Sequence, residues 1–268
     1  MSRRDVVFVL LCTALALAVR LPLLGRPVWF DEACMSSQRI GTWEQLVATL
    51  YVDIHPPLFV TFMHCWGRLF GDGELALRLP ALLSGLAALP LLFWSGYRLV
   101  GVAAARWAVL LLALSPAHAW YSAEARLYAP MVAWTLLVFG TAERLLAGDS
   151  AHRRRLQWLH VAGVGVLLAL HYYLAVFVVA LAIAAPFVAR GLPRPVRWLL
   201  VVHGVALVLL AAFVAAKLAL GEFETSQDYL GPLTADKLRA FVLDWCWSGH
   251  ALLPADGDGQ VVAGTALI

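Results

Sequence analysis

Two adjacent carboxylates, Asp31 and Glu32, follow Trp29-Phe30 just past an apolar run. Acids held against apolar surface and aromatic rings suit general-base chemistry, in which a carboxylate takes the proton of an attacking hydroxyl. The same pair would equally serve to end a helix in water. Asp53-Ile54-His55-Pro56-Pro57 precedes a short apolar stretch. The two prolines fix the chain direction and start a helix, so that His55 is presented just before it. Arg78-Leu79-Pro80 opens a longer apolar run, where an arginine either snorkels to lipid phosphates in general or holds one particular phosphate. Tyr121-Ser122-Ala123-Glu124-Ala125-Arg126-Leu127-Tyr128 lies between two further apolar runs. Charged groups at membrane depth are costly and mark function by default; a purely structural Glu124–Arg126 pair is the plainer alternative.

The elements that must position these residues are membrane helices. Of 268 residues 62% are apolar and 14% charged, against about 25% charged in a soluble domain, and the mean hydropathy is +0.79. Candidate spans fall at about 6–24, 79–97, 103–121, 127–147 and 198–220, each near the ~20 residues that cross a bilayer. The apolar stretch 156–189 is too long for one span, at about 51 Å, and divides into two at His171-Tyr172-Tyr173. An all-α, polytopic bundle of about seven spans follows, with Val261–Ile268 reading as the start of an eighth. The chain is therefore expected to be the N-terminal part of a longer protein, 1–268 forming a single transmembrane domain. Arg3-Arg4 before an apolar run also suits a signal peptide, but apolar character resumes after Arg20, which favours an uncleaved span.

Whether Pro56–Phe70 crosses decides the side of everything after it. At about 22 Å it is short of the ~30 Å core. If it does not cross, Arg3, Arg4, Arg98, Arg106 and Arg153–Arg155 all face the cytoplasm, as the positive-inside rule requires. The segment is then an interfacial helix, with Thr61, His64 and Arg68 as a polar stripe opposite Phe59, Phe62 and Trp66. A second interfacial helix is expected over Ser36–Leu50, where Ile40, Trp43, Leu46, Val47 and Leu50 share a face and Thr42-Trp43-Glu44-Gln45 fits a capping box. The outer side carries a first loop at 25–78, a short one at about 120–126 and a third at 221–260. Asp31, His55, Arg78, Glu124 and Arg126 all fall on it, which argues for one site. A sugar donor on that side arrives on a lipid, not as a nucleotide sugar. No basic stretch interleaved with aromatics supports nucleic-acid binding. Cys12, Cys34, Cys65 and Cys246 show no metal spacing, and Cys34 and Cys65 read either as a disulfide or as two thiols.

Trp29-Phe30-Asp31-Glu32, His55-Pro56-Pro57-Leu58, Arg78-Leu79-Pro80-Ala81-Leu82 and Ser115-Pro116 followed by Tyr121–Tyr128 resemble, in order and spacing over about residues 5–150, the GT-C superfamily of glycosyltransferases. The resemblance is to the family 39-like group of protein mannosyltransferases and lipid A aminoarabinose transferases. It implies a GT-C-type fold in a bacterial plasma membrane and an inverting transfer of sugar from a polyprenyl-phosphate donor to an acceptor hydroxyl on protein, lipid or glycan. Asp31 would be the general base and Glu32 would support it. Arg78 and Arg126 would hold the donor phosphate, Glu124 would orient Arg126 or the acceptor, and His55 and Tyr128 would line the pocket. Members with an acidic D-x-D pair bind a divalent metal. Here the acids are adjacent, so no catalytic metal or other cofactor is expected. A transporter or flippase of lipid-linked or anionic substrates is the main alternative, and a non-enzymatic membrane scaffold a second.

Overall fold

The computed structural model describes residues 2–53, 55–71, 73–148 and 152–219, with the side chains of 37–40, 51 and 52 left aside. The expected outer loop 221–260, Cys246 and the expected span start at 261–268 lie outside the described residues. Among the described residues every regular element is a helix: α1 (Arg3–Arg20), a 3-10 turn (Leu21–Gly25), α2 (Phe30–Ile40), α3 (Trp43–Val52), α4 (Leu58–Phe70), α5 (Glu74–Leu114), α6 (Pro116–Ser122), α7 (Tyr128–Leu146), α8 (Arg153–Leu170), α9 (Leu174–Val188) and α10 (Arg194–Ala219).

Ser2 and Asp5 form a reciprocal capping box that starts α1, satisfying amide donors that would otherwise be orphaned. α5 is two arms joined at Gly101, whose φ of 82° breaks the helix in a conformation that glycine reaches without a Cβ clash. The expected spans 79–97 and 103–121 are these arms, except that the second stops at Leu114 and Ser115-Pro116 starts α6 afresh. Ser115 Oγ accepts from the His118 amide there, with Pro116 at the first helical position. Both arms pack on α1, with Val9, Cys12 and Ala16 against Leu89, Phe93, Ala105 and Val109.

The helices alternate between two ends. At one end Arg106 meets Asp5 at 2.5 Å and Arg98 meets Glu143 at 3.6 Å. At that end too, Leu145, Leu156, Ala185 and Val196 share one cluster, which places the end of α7, the start of α8, the end of α9 and the start of α10 together. At the other end Arg78 reaches the carbonyls of Leu24 and Arg26, His55 stacks edge-on with His171 and Lys217 donates to the Asp53 carbonyl. α1, the two arms of α5, and α7 to α10 thus run back and forth between the ends, while α2, α3, α4 and α6 stay at the second. By length and composition, Arg3–Gly25, Glu74–Leu114 and Arg194–Ala219 can cross a membrane, and Leu174–Val188 is apolar but shorter.

The two short helices of the first loop differ from expectation in detail. Gly41 splits the segment expected as one helix, so Asp31 and Glu32 open α2 and Thr42–Gln45 caps α3 with both box bonds present. Leu46 is buried, but Trp43 and Val47 are about half exposed. In α4 the polar stripe is not a face of its own. His64 is wholly buried with its ring 4.5 Å from that of Trp43, because α2 and α3 cover that side; Phe62, Leu69 and Phe70 turn outward.

Candidate active site

The site is built around a buried ion pair. Arg78 Nε donates to Glu32 Oε1 at 2.9 Å and Arg78 Nη2 to Glu32 Oε2 at 2.7 Å; both side chains are wholly buried. The rest of the guanidinium binds main chain. Nη1 donates to the Leu24 carbonyl at 2.6 Å and the Arg26 carbonyl at 2.8 Å, and Nη2 donates to the Pro27 carbonyl at 3.3 Å. All five N–H donors of the fork are occupied. The Ala125 amide also donates to Glu32 Oε1 at 3.0 Å. One pair therefore ties α2, α5, the 24–27 turn and the 122–126 loop together. Burial pushes the Glu32 carboxyl up, but the bonds from Arg78 and Ala125 bring it below its ordinary value. Arg78, expected to hold a phosphate, has no donor left for one.

α6 sets the height of the 122–126 loop. A Cβ on Gly85 of α5 would lie 2.1 Å from Ser122 Oγ and 2.6 Å from Ser122 Cβ, so only glycine lets the two backbones approach this closely.

Above the clamp lie Asp31 and Arg126. Arg126 Nη2 is 3.4 Å from Asp31 Oδ2, with side-chain exposures of 15% and 24%, so this pair opens to the outside where the Glu32–Arg78 pair does not. Tyr128 lies near enough to Arg126 for its charge to act on the phenol and packs against Tyr121 with ring centroids 4.7 Å apart. Arg126 Nε is buried without a hydrogen-bond partner.

Glu124 is wholly buried, and neither of its oxygens has a hydrogen-bond partner. Burial pushes its carboxyl up to about 7, with Arg26 pulling it back and Glu32 pushing it further. Arg26 was missed in the sequence. Its guanidinium lies 3.7 Å over the Trp120 indole, and its three nitrogens are buried without hydrogen-bond partners. Burial lowers its proton affinity, while Glu32 and Glu124 oppose that. Arg26 and Glu124 are thus a cation and a carboxyl without hydrogen-bond partners, near enough for each to act on the other's charge. The signal in the sequence was slight: one arginine between Gly25 and Pro27, outside the apolar run.

His55 sits in an adjoining group. Its Nδ1 lies 2.9 Å from Asp53 Oδ1, and its amide donates to the same oxygen at 2.7 Å. Its ring is edge-on to His171 at 5.5 Å, and Lys217 of α10 donates to the Asp53 carbonyl. Burial pushes the Asp53 carboxyl up, but the His55 hydrogen bonds hold it below its ordinary value. Burial lowers the His171 imidazole, as do the charges of His55 and Arg126, so the two groups border one another. Among the described residues no cluster of three or more His, Cys, Asp or Glu side chains could hold a metal ion. Cys34 and Cys65 are not joined by a disulfide.

Deeper in the bundle, His160 Nε2 lies 2.9 Å from His203 Nε2, and His160 Nδ1 lies 2.9 Å from Thr141 Oγ1. All three side chains are buried, on α8, α10 and α7.

Residues 54–217 match a family model described as dolichyl-phosphate-mannose-protein mannosyltransferase. Among solved structures, the apo crystal structure of ArnT from Cupriavidus metallidurans superposes with a TM-score of 0.54 and 22% identity. The match takes in 76% of this chain and 42% of that one, so the chain spans less than half the length of that relative. At this identity the likeness is one of fold. No curated protein matches.

Proposed function

Because the chain belongs to the dolichyl-phosphate-mannose-protein mannosyltransferase family, we propose that it is the N-terminal part of a membrane glycosyltransferase that moves a sugar from a polyprenyl-phosphate donor to an acceptor hydroxyl. The observation that carries this is the half-open Asp31–Arg126 pair seated on the closed Glu32–Arg78 pair. A base and a cation side by side at the end of a helix bundle suit a reaction in which a hydroxyl must lose a proton while a phosphate gains charge.

In the proposed reaction the acceptor hydroxyl attacks the anomeric carbon from the side opposite the phosphate. The new O–C bond forms as the bond from that carbon to the phosphate oxygen breaks, so the configuration inverts. Asp31 takes the hydroxyl proton. The electron pair of the broken bond leaves on the polyprenyl phosphate, and Arg126 stabilises that charge as it develops. Tyr128 keeps Arg126 aimed. Glu32 and Arg78 position Asp31 through α2 and hold the 122–126 loop beneath it. Arg26 and Glu124 together offer a donor and an acceptor, the pattern that a sugar hydroxyl can bridge, and His55 borders the pocket.

The seven rods are proposed as spans of one domain. The arginine-rich end, carrying Arg3, Arg4, Arg98, Arg106 and Arg153–Arg155, would be cytoplasmic by the positive-inside rule. The site would then face outward from a bacterial plasma membrane, where lipid-linked sugars serve as donors. Asp31→Asn in the full-length protein tests the reading directly. Transfer from a polyprenyl-phosphate sugar should fall by about 10²–10⁴-fold, the size of a lost general base; wild-type transfer would remove Asp31 from the mechanism.

A transporter or flippase draws on one observation, the enclosed Thr141–His160–His203 network within the bundle, since transporters carry polar groups near mid-membrane. Substrate flux into vesicles without product formation would favour it.

A further inference from the structure

Three consecutive arginines open α8 where a helix should carry acids. The amides of a helix N-terminus are unsatisfied, and its dipole is positive there, so cations are disfavoured and anions are stabilised. Arg153, Arg154 and Arg155 occupy this first turn and are exposed. The turn contains no acid, and its N-cap residue, His152, makes no capping hydrogen bond. α10 starts alongside, with Arg194 and Arg197 also exposed. Among the described residues, no carboxylate forms an ion pair with any of these five. Among the described residues, the carboxylates at this end, Asp5 and Glu143, are taken up by Arg106 and by Arg98 and Arg144.

Arg153, Arg154 and Arg155 line a cleft of about 1050 Å³, together with Trp158, Trp198, Val161 and Val202. Val161 and Val202 also line a second groove, of about 520 Å³, between α8 and α10. Its walls are Val164, Leu168, Val205, Leu209 and Phe213, and Pro56 and Pro57 close its far end. A cationic cleft therefore runs into an apolar trough along a single seam. The trough begins at Val161, about 12 Å along α8 from Arg153, and runs a further ~12 Å to Ala169 at ~1.5 Å per residue, so a chain entering at the cleft passes the middle of the ~30 Å hydrocarbon core. Trp158 is 65% exposed at the junction, the place where tryptophan meets the headgroup level. Basic pockets between membrane helices are known receptors for anionic headgroups.

We propose that this seam binds an anionic phospholipid of the leaflet opposite the candidate active site, its phosphate on Arg153–Arg155 at the start of α8 and one acyl chain in the trough between α8 and α10. The lipid supplies the negative charge that the helix start lacks and fills a groove with no polar wall of its own. The site's cationic cleft is lined by no residue of the Asp31 end. It depends on the chain's lying in a membrane and not on its chemistry, so failure here leaves the glycosyl-transfer reading standing.

The test is native mass spectrometry of the purified full-length protein in detergent, titrated with dioleoylphosphatidylglycerol or dioleoylphosphatidylcholine. Wild type should retain the anionic lipid at least tenfold more tightly. The triple variant R153Q/R154Q/R155Q should lose that preference. Gly165 lines the trough, and a Cβ there meets nothing within 4 Å. Gly165→Phe should therefore fill the trough and weaken retention of the anionic lipid tenfold, while the thermal unfolding of the delipidated protein stays near that of wild type. Equal retention of both lipids, no retention by wild type, or unchanged retention of phosphatidylglycerol in either variant would overturn the proposal. So would displacement of the lipid by sn-glycerol 1-phosphate as readily as by phosphatidylglycerol, since that would make the site one for a headgroup alone.

Discussion

Arg78 grips Glu32 through two hydrogen bonds of 2.9 and 2.7 Å, and its remaining donors hold the carbonyls of Leu24, Arg26 and Pro27. The two residues are 46 positions apart in sequence, and neither side chain has any exposure. A cation and an anion sealed from water must satisfy each other, because removing one leaves the other buried and uncompensated.

Arg78→Gln should consequently destabilise the protein by about 3–5 kcal/mol, the cost of a broken buried pair. Thermal unfolding in detergent would register it as a large drop in Tm and a low yield of folded protein. Arg78→Lys should recover little, since an ammonium cannot make the fork-to-carboxylate contact. An Arg78→Gln protein as stable as wild type would show that the clamp is not what holds the 24–27 turn and the 122–126 loop.

Arg126 should behave differently. Its partner Asp31 is partly open and the pair lies at 3.4 Å, so Arg126→Gln should leave Tm nearly unchanged. In the proposed reaction it stabilises the developing phosphate charge, so kcat/KM for the lipid-linked donor should fall by about 10²–10³-fold. If Arg126→Gln keeps wild-type kinetics while Arg26→Gln loses them, the phosphate is held by the cation stacked on Trp120 instead.

Glu124 gives a pH dependence of stability with a definite sign. Its carboxyl, ordinarily at 4.5, is pushed up to about 7 in the folded protein by burial. Between those values the folded state binds more protons than the unfolded state, so stability falls as pH rises. The contribution is fully present below about 4.5 and is lost by about 7, on the order of 3 kcal/mol in all. Unfolding free energies measured between pH 4.5 and 8 should show this decline in wild type and a flatter profile in Glu124→Gln. Identical profiles would mean that Glu124 is charged and paired throughout.

Gly85 and Ser122 offer a test of how α6 places the loop. Gly85→Ala puts a Cβ 2.1 Å from Ser122 Oγ, an overpacking that costs about 1–3 kcal/mol. Ser122→Gly in the same protein should restore most of that stability, because it removes both clashing atoms. Additive losses in the double variant would show that the two backbones are not in contact there.

Much of the architecture could be read from composition alone. Long apolar runs have no low-energy home in water, and short loops rich in arginine have a preferred side. Those two facts place the back-and-forth helices and put Asp31, Glu32, Arg78, Glu124 and Arg126 at one end. The capping box at Thr42–Gln45 was equally plain, because it depends on residues three apart. That α4, at 13 residues, stays at one end of the bundle also followed from its length.

What the sequence could not give were pairings between distant segments. That Arg78 belongs to Glu32 and not to a ligand, that Arg26 lies on Trp120, that His160 meets His203, and that His64 is buried against Trp43 all depend on which faces the helices turn to one another. Helical periodicity shows that a face exists but not what covers it. Only the packed structure decides, because the energy of a buried charge or an unpartnered amide is set by the few atoms within hydrogen-bond reach, and those atoms come from elsewhere in the chain.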